Sequence, residues 1–188
     1  LLLPWKESTV LATVTDAFLG GGVDLVLVVV APQAQGLKAA LAGRPVRWVE
    51  NPQPDSEMLE SIRCGLRAAG PSVRTFLVCP ADVPGLHSGL IRDLLEAHRS
   101  AGARITVPVW EGRRGHPVVF ESEYRSELLT GYLGVGLRGL LDAHAAAVQE
   151  WPAPDPSPCL DLDTPEDYQR LLDRLGAGPG GSREGLSG

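Results

Sequence analysis

The chain has 188 residues, of which 44% are hydrophobic and 21% charged, a balance typical of one globular domain. Its formal net charge of −6 leaves no basic surface to follow a phosphate backbone, so we expect no nucleic-acid partner. Apolar runs such as residues 26–31 are too short to span a membrane, which predicts no membrane partner. The three cysteines form no CxxC or Cys/His cluster, so we expect reduced thiols and a cytoplasmic location.

The first half of the chain alternates predicted helices and strands. Apolar residues at helical spacing predict a first helix, which Ser8 or Thr9 can cap and which Gly20 to Gly22 end. The β-branched run VDLVLVVVA that follows is typical of a parallel strand covered on both faces. After it, VRWVEN predicts a second strand, residues 56–70 a second helix, and TFLVCP a third strand.

The second half continues this alternation. The helix GLIRDLLEAHRSAG precedes two predicted strands, RITVPVW and HPVVF, which flank the polar turn EGRRG. Helices near 122–129 and 136–144 follow, and then AVQEW and CLDLD, which we predict as late strands. The last helix has a clear start, with Thr164 as N-cap, Pro165 in the first turn and Asp167 at the capping-box position.

This alternation predicts an α/β fold with a Rossmann-like, mostly parallel sheet and helices on both faces. Residues 1–175 are predicted to form this domain. Residues 176–188 are rich in glycine and lack apolar periodicity, which predicts a disordered tail. Ligands of such sheets bind beyond the carboxyl ends of the strands, so the residues at those ends are the candidates for function.

Asp82 is the first candidate, because it follows TFLVCP directly. Pro80 and Pro84 flank it, limit the flexibility of its loop and fix the direction of the carboxylate. A carboxylate at a strand end suits Mg²⁺, which commonly binds one or two carboxylates together with substrate phosphates. An Asp that caps the helix beginning near 85–88 is the alternative, and the residues alone favour neither.

Asp161 and Asp163 are the second candidates. In a strand CLDLD the two side chains would share one face, with Asp163 at the strand end. Asp163 could then supply a second metal carboxylate opposite Asp82. Solvation of a strand end is the simpler interpretation, and it is favoured more strongly for Asp161 than for Asp163.

The turn EGRRG and the second helix provide further candidates. Arg113 and Arg114 could bind a phosphate, since guanidinium groups match phosphate oxygens, and His116 stands where the turn re-enters a strand. A solvated hairpin tip with a structural His is the alternative. Ser61 could contact a base or ribose, although an ordinary amphipathic helix explains it equally well. The sequence contains neither a GxxxxGK[ST] loop nor a nucleophile elbow, and its glycine-rich stretch GYLGVG follows a helix rather than a strand, which makes it a weak nucleotide-binding signal.

The order of these motifs resembles that of the MobA-like nucleotidyltransferases, and most closely their molybdenum cofactor cytidylyltransferases. The similarity extends through LLPW, GVDLVLVVVAP, NPQPDSEMLESIRCGL, FLVCPADVPGL, ITVPVWEGRRGHPVVF, GLRGLL and DLDTPEDY. It implies the fold of the nucleotide-diphospho-sugar transferases and a Mg²⁺-dependent reaction. The implied reaction moves a nucleotidyl group from an NTP, with CTP favoured over GTP, to a molybdopterin-type phosphorylated acceptor.

The resemblance also implies roles for individual residues. The matches to the catalytic metal positions are Asp82 and Asp163. The matches near the nucleotide are Ser61, Gly65 and Pro80. The matches on the acceptor side are Arg113, Arg114, Gly115 and His116. Two alternatives stay open: a non-catalytic module that binds cofactor for a molybdoenzyme or its chaperone, and a related transferase with a sugar-phosphate acceptor.

The chain also departs from the family pattern. Members carry a strand and a glycine-rich loop before LLPW, whereas Leu1 already stands at that motif here. We therefore expect the fold to lack its first strand, to leave an unpaired backbone edge beside VDLVLVVVA, and to form no stable, active monomer by itself. In addition, Gly134 replaces an Asp of the family motif GDxGxR, and Glu57 replaces a usual Gly.

Overall fold

The computed structural model describes residues 1–53, 56–162 and 164–176, with side chains up to residue 173. The strands are β1 Pro4–Trp5, β2 Ser8–Thr9, β3 Val26–Val30, β4 Val46–Glu50, β5 Thr75–Val78, β6 Ile105–Trp110, β7 Arg113–Arg114, β8 Val118–Glu121 and β9 Val148–Pro152. The α-helices are α1 Val10–Gly20, α2 Gln35–Ala40, α3 Met58–Ala69, α4 Ser88–Ser100, α5 Arg125–Thr130, α6 Gly136–Ala143 and α7 Pro165–Gly176. Asp163 and residues 177–188 of the predicted tail lie outside the described residues.

The main strands form two separate sheets. β3 and β4 pair in parallel as one sheet, and β5, β8, β6 and β7 form a second sheet in that order, with β9 added to β6. β5 and β6 are both antiparallel to β8, so they run in the same direction, and β9 is parallel to β6. The carboxyl ends of β5, β6 and β9 therefore lie at one edge of the larger sheet, and the predicted α/β fold is confirmed.

Both β3 and β5 have one open side. Among the described residues, β3 pairs only with β4, and β5 pairs only with β8. This confirms the predicted unpaired edge beside β3. Helices pack on both faces of β3, as predicted, since Val28 packs with Leu11 of α1 and the neighbouring Val29 faces Gly65 of α3. The residues of β3 are nevertheless half-buried except for Val30. Stable burial of a strand needs neighbours on both sides, and β3 has one.

Helices cover the two faces of the larger sheet. Along β5, Phe76 packs with the cluster that contains Leu66 of α3, whereas Leu77 packs with α1 and α4. Because alternate residues of a strand point to opposite faces, α3 covers one face, and α1 and α4 cover the other. Ile91 of α4 comes so close to α1 that a Cβ on Gly21 would lie 2.5 Å from it, so a small residue is required there.

Most predicted elements are confirmed within a residue or two. Thr9 caps α1 with its side-chain oxygen, and Thr164 and Asp167 form the predicted capping box of α7. α3 begins at Met58 rather than Ser56, and the sequence did not indicate α2. No helix in the described part of the chain is long and apolar enough to cross a membrane.

The prediction of a strand at CLDLD is wrong. Residues Ser157–Cys159 form a 3₁₀ turn, and the chain up to Leu162 is irregular. Local bonds explain this, because the Cys159 and Leu160 N–H groups donate to Pro156 and Ser157 within the 3₁₀ turn, and the Leu162 N–H donates to Asp82. The remaining backbone groups bond to loops instead: the N–H of His116 donates to the C=O of Pro158 at 2.8 Å. The argument that Asp161 and Asp163 share a strand face therefore fails.

Candidate functional site

Asp82 lies in the loop that follows β5, at the carboxyl edge of the larger sheet. The loop is held on both sides, because Val83 is fully buried and the Asp82 C=O accepts the Leu162 N–H at 2.9 Å. The alternative that Asp82 caps α4 is wrong, since the cap is His87, whose Nδ1 accepts the Leu90 N–H at 3.1 Å. No hydrogen bond reaches the Asp82 carboxylate from the described residues, which leaves its oxygens available to a ligand.

The segment 157–162 joins the Asp82 loop to the turn after β7. At one end Leu162 bonds to Asp82, and at the other Pro158 accepts the His116 N–H. Gly115 makes the closest approach, because a Cβ at this position would lie 2.4 Å from the Pro158 oxygen. Only glycine fits there without a shift of backbone. These contacts bring together three pieces of chain that are far apart in the sequence.

The charges of this region act on one another. Burial lowers the pKa of His116, and the negative charges of Asp161 and Asp82 oppose that shift. Burial raises the pKa of the Cys79 thiol, and the Asp82 charge raises it further. Asp161 directly precedes Leu162, whose N–H donates to the Asp82 C=O, and the His116 N–H donates to Pro158 of the same segment, so the three residues lie on contacting pieces of chain. The sequence favoured Asp163 over Asp161, and Asp163 lies outside the described residues, so that prediction stays open.

The two carboxylates suit a hard divalent cation, which prefers oxygen ligands. Among the described residues, no three His, Cys, Asp or Glu side chains cluster tightly enough to hold a metal by themselves. A cation at Asp82 and Asp161 would therefore take its remaining ligands from water or from a substrate phosphate. This is the coordination expected of Mg²⁺ or Mn²⁺ in a nucleotide-dependent enzyme.

The two arginines of the turn face different cavities, as neighbours on a strand must. Arg113 lines a cavity of 270 Å³ that also contains Asp161, Asp167 and Arg170. Arg114 lines a second cavity, of 390 Å³, together with His116. The Arg114 Nε donates to Glu150 Oε1 at 2.9 Å, so its charge is already paired. The predicted acceptor group is thus divided between the two cavities.

The predicted nucleotide residues lie beside the smaller sheet. Asn51, directly after β4, is buried, and its Nδ2 donates to Ser56 Oγ at 3.0 Å and to Ser61 Oγ at 3.1 Å. Ser61 therefore lies near the carboxyl end of β4. Gly65 is placed differently: it faces Val29 of β3, where a Cβ would make a contact of 3.4 Å.

Pro80 and Ala81 connect the two halves of the site. Pro80 is half-buried in the loop that leads from β5 to Asp82. Ala81 packs in the apolar cluster that contains Val28 and Trp48 of the smaller sheet. The Asp82 loop and the smaller sheet therefore pack on the same apolar cluster, formed by Leu11, Ala12 and Leu41. The sequence analysis missed Asn51, although a polar residue directly after a strand is the pattern that pointed to Asp82.

The two departures from the family pattern contact each other. The Gly134 N–H donates to Glu57 Oε2 at 3.0 Å, which ties the loop between α5 and α6 to the first turn of α3. Both partners of this hydrogen bond are thus positions at which the chain departs from the family pattern.

Comparisons with known proteins identify the family to which the chain is similar. A family model described as the MobA-like NTP transferase domain matches residues 1–148. The nicotine blue oxidoreductase of Paenarthrobacter nicotinovorans is 31% identical over 179 residues, which cover 91% of this chain and 86% of that protein.

Solved structures of similar proteins share the fold of this chain. Rv0371c of Mycobacterium tuberculosis is 25% identical with a TM-score of 0.79, and the alignment covers 92% of this chain and 87% of that one. Its complex with manganese is 25% identical with a TM-score of 0.77, over 92% and 90% of the two chains.

Proposed function

The chain belongs to the MobA-like NTP transferase family, and on that premise we propose that it transfers a nucleotidyl group to a molybdopterin-type phosphorylated acceptor. CTP is the favoured donor, and pyrophosphate is the second product. One observation carries the proposal: the Leu162 N–H donates to the Asp82 C=O at 2.9 Å, which holds the segment that carries Asp161 against the Asp82 loop at the carboxyl edge of the sheet. Ligands of open α/β sheets bind at this edge.

Asp82 and Asp161 are the residues that would hold a divalent cation, with Mg²⁺ as the proposed ion. Their carboxylate oxygens fit it, and the Rv0371c complex with manganese supports a divalent cation in a similar protein. When bound, such a cation neutralises the charge of the triphosphate and stabilises departing pyrophosphate. Asp163 stays a predicted ligand.

The remaining steps need positioning rather than proton transfer. An oxygen of the acceptor phosphate attacks the α-phosphorus in line, the bond between that phosphorus and the bridging oxygen breaks, and pyrophosphate leaves with the electron pair. The attacking oxygen is already anionic, so no general base is required. Ser61, which Asn51 positions at the end of β4, would contact the base or ribose, and Arg113 would offset phosphate charge next to Asp161.

The test compares Asp82→Asn with Asp93→Asn, which changes an exposed carboxylate on α4. Pyrophosphate release is measured with CTP, GTP, ATP or UTP, with Mg²⁺ or Mn²⁺, and with molybdopterin, its molybdenum form or sugar phosphates as acceptors. Asp82→Asn should lower turnover roughly 100-fold or more, because it removes charge at a metal ligand. Mn²⁺ binding, followed by electron paramagnetic resonance, should weaken in the same variant. Turnover and Mn²⁺ affinity equal to those of Asp93→Asn would contradict the metal assignment.

The same assay separates the alternatives. Saturable binding of molybdenum cofactor without turnover in any combination supports the cofactor-binding module, whereas turnover with sugar phosphates alone supports the related transferase. The similarity to nicotine blue oxidoreductase supports a second candidate, a redox reaction on that dye. Consumption of NADH or NADPH with nicotine blue, in the absence of any NTP, would favour it.

A further inference from the structure

The two pieces of chain that carry the candidate metal ligands run side by side. One is the loop from Asp82 to the start of α4, and the other is the segment 155–162. At one end the Leu162 N–H donates to the Asp82 C=O at 2.9 Å. At the other end His87 Nε2 lies 3.3 Å from Asp155 Oδ2. Residue numbers rise along the loop and fall along the segment, so the two pieces are antiparallel.

The loop and the segment also touch between these ends. A Cβ added at Gly85 would lie 3.0 Å from the Ser157 oxygen and 3.2 Å from Leu160 Cδ1. A side chain at this position would push the two pieces apart, whereas glycine lets the backbones approach each other. Three contacts therefore set their separation: one beside the candidate ligands, one in the middle and one at His87.

His87 makes two hydrogen bonds through different ring atoms. Its Nδ1 accepts the Leu90 N–H at 3.1 Å, which caps α4. A ring nitrogen that accepts carries no proton, so in the neutral ring Nε2 carries the proton and donates it to Asp155 Oδ2. The cap of α4 therefore fixes the tautomer that the contact with Asp155 requires.

Asp155 continues this chain of hydrogen bonds into the opposite segment. Its Oδ1 accepts the Ser157 N–H at 2.8 Å, while Oδ2 faces His87. Desolvation raises the pKa of Asp155, but the hydrogen bonds from Ser157 and His87 outweigh it, so the net shift of the pKa is downward. The carboxylate is therefore ionised at neutral pH, and both of its oxygens help to join the two pieces of chain.

We propose that the contact between His87 and Asp155, here called the clamp, holds the segment 155–162 against the Asp82 loop. The clamp thereby sets the separation of the Asp82 and Asp161 carboxylates. A cation shared by two carboxylates binds best when their oxygens are held in place before it arrives. The two residues of the clamp are thus positioning residues and not metal ligands. Their effect on metal binding rests on the proposed function, whereas the clamp itself rests on the contacts between the two pieces of chain.

Two substitutions break the clamp and keep the local structure on each side of it. His87→Ser leaves a preferred N-cap for α4, but its side chain is too short to reach Asp155. Asp155→Asn keeps the Oδ1 atom that accepts the Ser157 N–H and places an NH₂ group opposite the Nε2–H of His87, so two donors face each other.

Two measurements on the full chain follow the result. Mn²⁺ affinity is measured by electron paramagnetic resonance, and exchange of the Leu162 amide is measured by NMR. Each substitution should weaken Mn²⁺ binding about threefold and speed exchange of the Leu162 amide by about the same factor, which is the scale of an exposed ion pair.

The double variant and one control separate positioning from charge. Because both substitutions break one contact, together they should weaken Mn²⁺ binding about threefold, and not the roughly ninefold expected of independent effects. His87→Ser removes no negative charge, so weaker binding in this variant does not come from a lost attraction for the cation. Glu96→Gln neutralises an exposed carboxylate of α4 that pairs with Arg99, and it should change neither measurement.

Unchanged Mn²⁺ affinity or unchanged Leu162 exchange in His87→Ser would overturn the proposal, as would effects that multiply in the double variant. Weaker Mn²⁺ binding in Asp155→Asn alone would also overturn it, because lost charge would then explain the result. Neither measurement needs NTP or acceptor, so a chain without turnover contradicts only the proposed transfer reaction. If the wild type binds no Mn²⁺, the metal assignment fails, and Leu162 exchange alone decides whether the clamp holds the segment.

Discussion

The two sheets of this molecule differ in how completely they are buried. In the larger sheet, Ile105, Val119 and Phe120 are fully buried, at 0% exposure. In the smaller sheet, Val30 is 7% exposed, and the other residues of β3 are half-buried. The sequences suggest the reverse, because VDLVLVVVA is the most β-branched run in the chain. Composition alone therefore does not bury a strand.

Pairing accounts for the difference. β8 lies between β5 and β6, and β6 pairs with β8 and β9, so these strands have neighbours on both sides. Among the described residues β3 has one neighbour, β4. The candidate site draws on both sheets, with Asp82 and His116 on the larger one and Asn51 and Ser61 beside the smaller one. Asp82 follows β5, which among the described residues pairs only with β8, so both parts of the site border a strand with one open side.

The largest expected effect is in hydrogen exchange of the backbone amides. Amides of β6 and β8 should exchange about 100-fold or more slowly than those of β3, since core strands open only with the whole domain. Alternate amides of β3 point away from β4 and should exchange fastest. Exchange measured by NMR or mass spectrometry tests this directly. Protection of β3 equal to that of β6 would mean that its open side is covered in solution, and the comparison would fail.

Two glycines, one beside each sheet, show that packing is also tighter at the larger sheet. A Cβ added at Gly115, beside the larger sheet, would lie 2.4 Å from the Pro158 oxygen, whereas one added at Gly65 would lie 3.4 Å from Val29 of β3. Gly115→Ala should cost about 1–3 kcal/mol of unfolding free energy, because backbone must move. Gly65→Ala should be neutral or stabilise by up to about 1 kcal/mol, because alanine favours a helix. Urea denaturation of both variants measures this, and a larger cost for Gly65→Ala would reverse the contrast.

The sequence predicted what local patterns control. The capping box of Thr164 and Asp167, the cap at Thr9 and the place of Asp82 after a strand each depend on a few neighbouring residues. The meeting of Asp82 with Asp161 could not be predicted in this way. It depends on one hydrogen bond from Leu162 and one from His116 to Pro158, between segments far apart in the sequence. The same bonds explain why CLDLD, with its alternating pattern, is not a strand.

The smallest expected effect concerns Glu127 of α5, which binds Tyr132 in the loop between α5 and α6. The Tyr132 hydroxyl donates to its carboxylate, and His144 Nε2 lies 2.9 Å from Oε2. The Tyr132 hydrogen bond, with a contribution from His144, lowers the pKa of Glu127 despite its partial desolvation. A carboxylate with a lowered pKa in the folded state stabilises the fold above its unfolded pKa. That contribution disappears as the pH falls through the folded pKa.

Glu127→Gln should therefore lower the free energy of unfolding at pH 7 by about 1 kcal/mol or less, the range of exposed ion pairs. At a pH below the folded pKa of Glu127, wild type and variant should converge, because the wild-type carboxyl is then also neutral. Glu123→Gln is the matched control, since Glu123 pairs with Arg104 on the neighbouring turn. Thermal unfolding of the three proteins from pH 3 to pH 7 tests the sign. If the stability difference between Glu127→Gln and wild type grows as the pH falls, the lowered pKa of Glu127 is contradicted. The loop would then be stabilised by packing of Tyr132 on Gly139 instead.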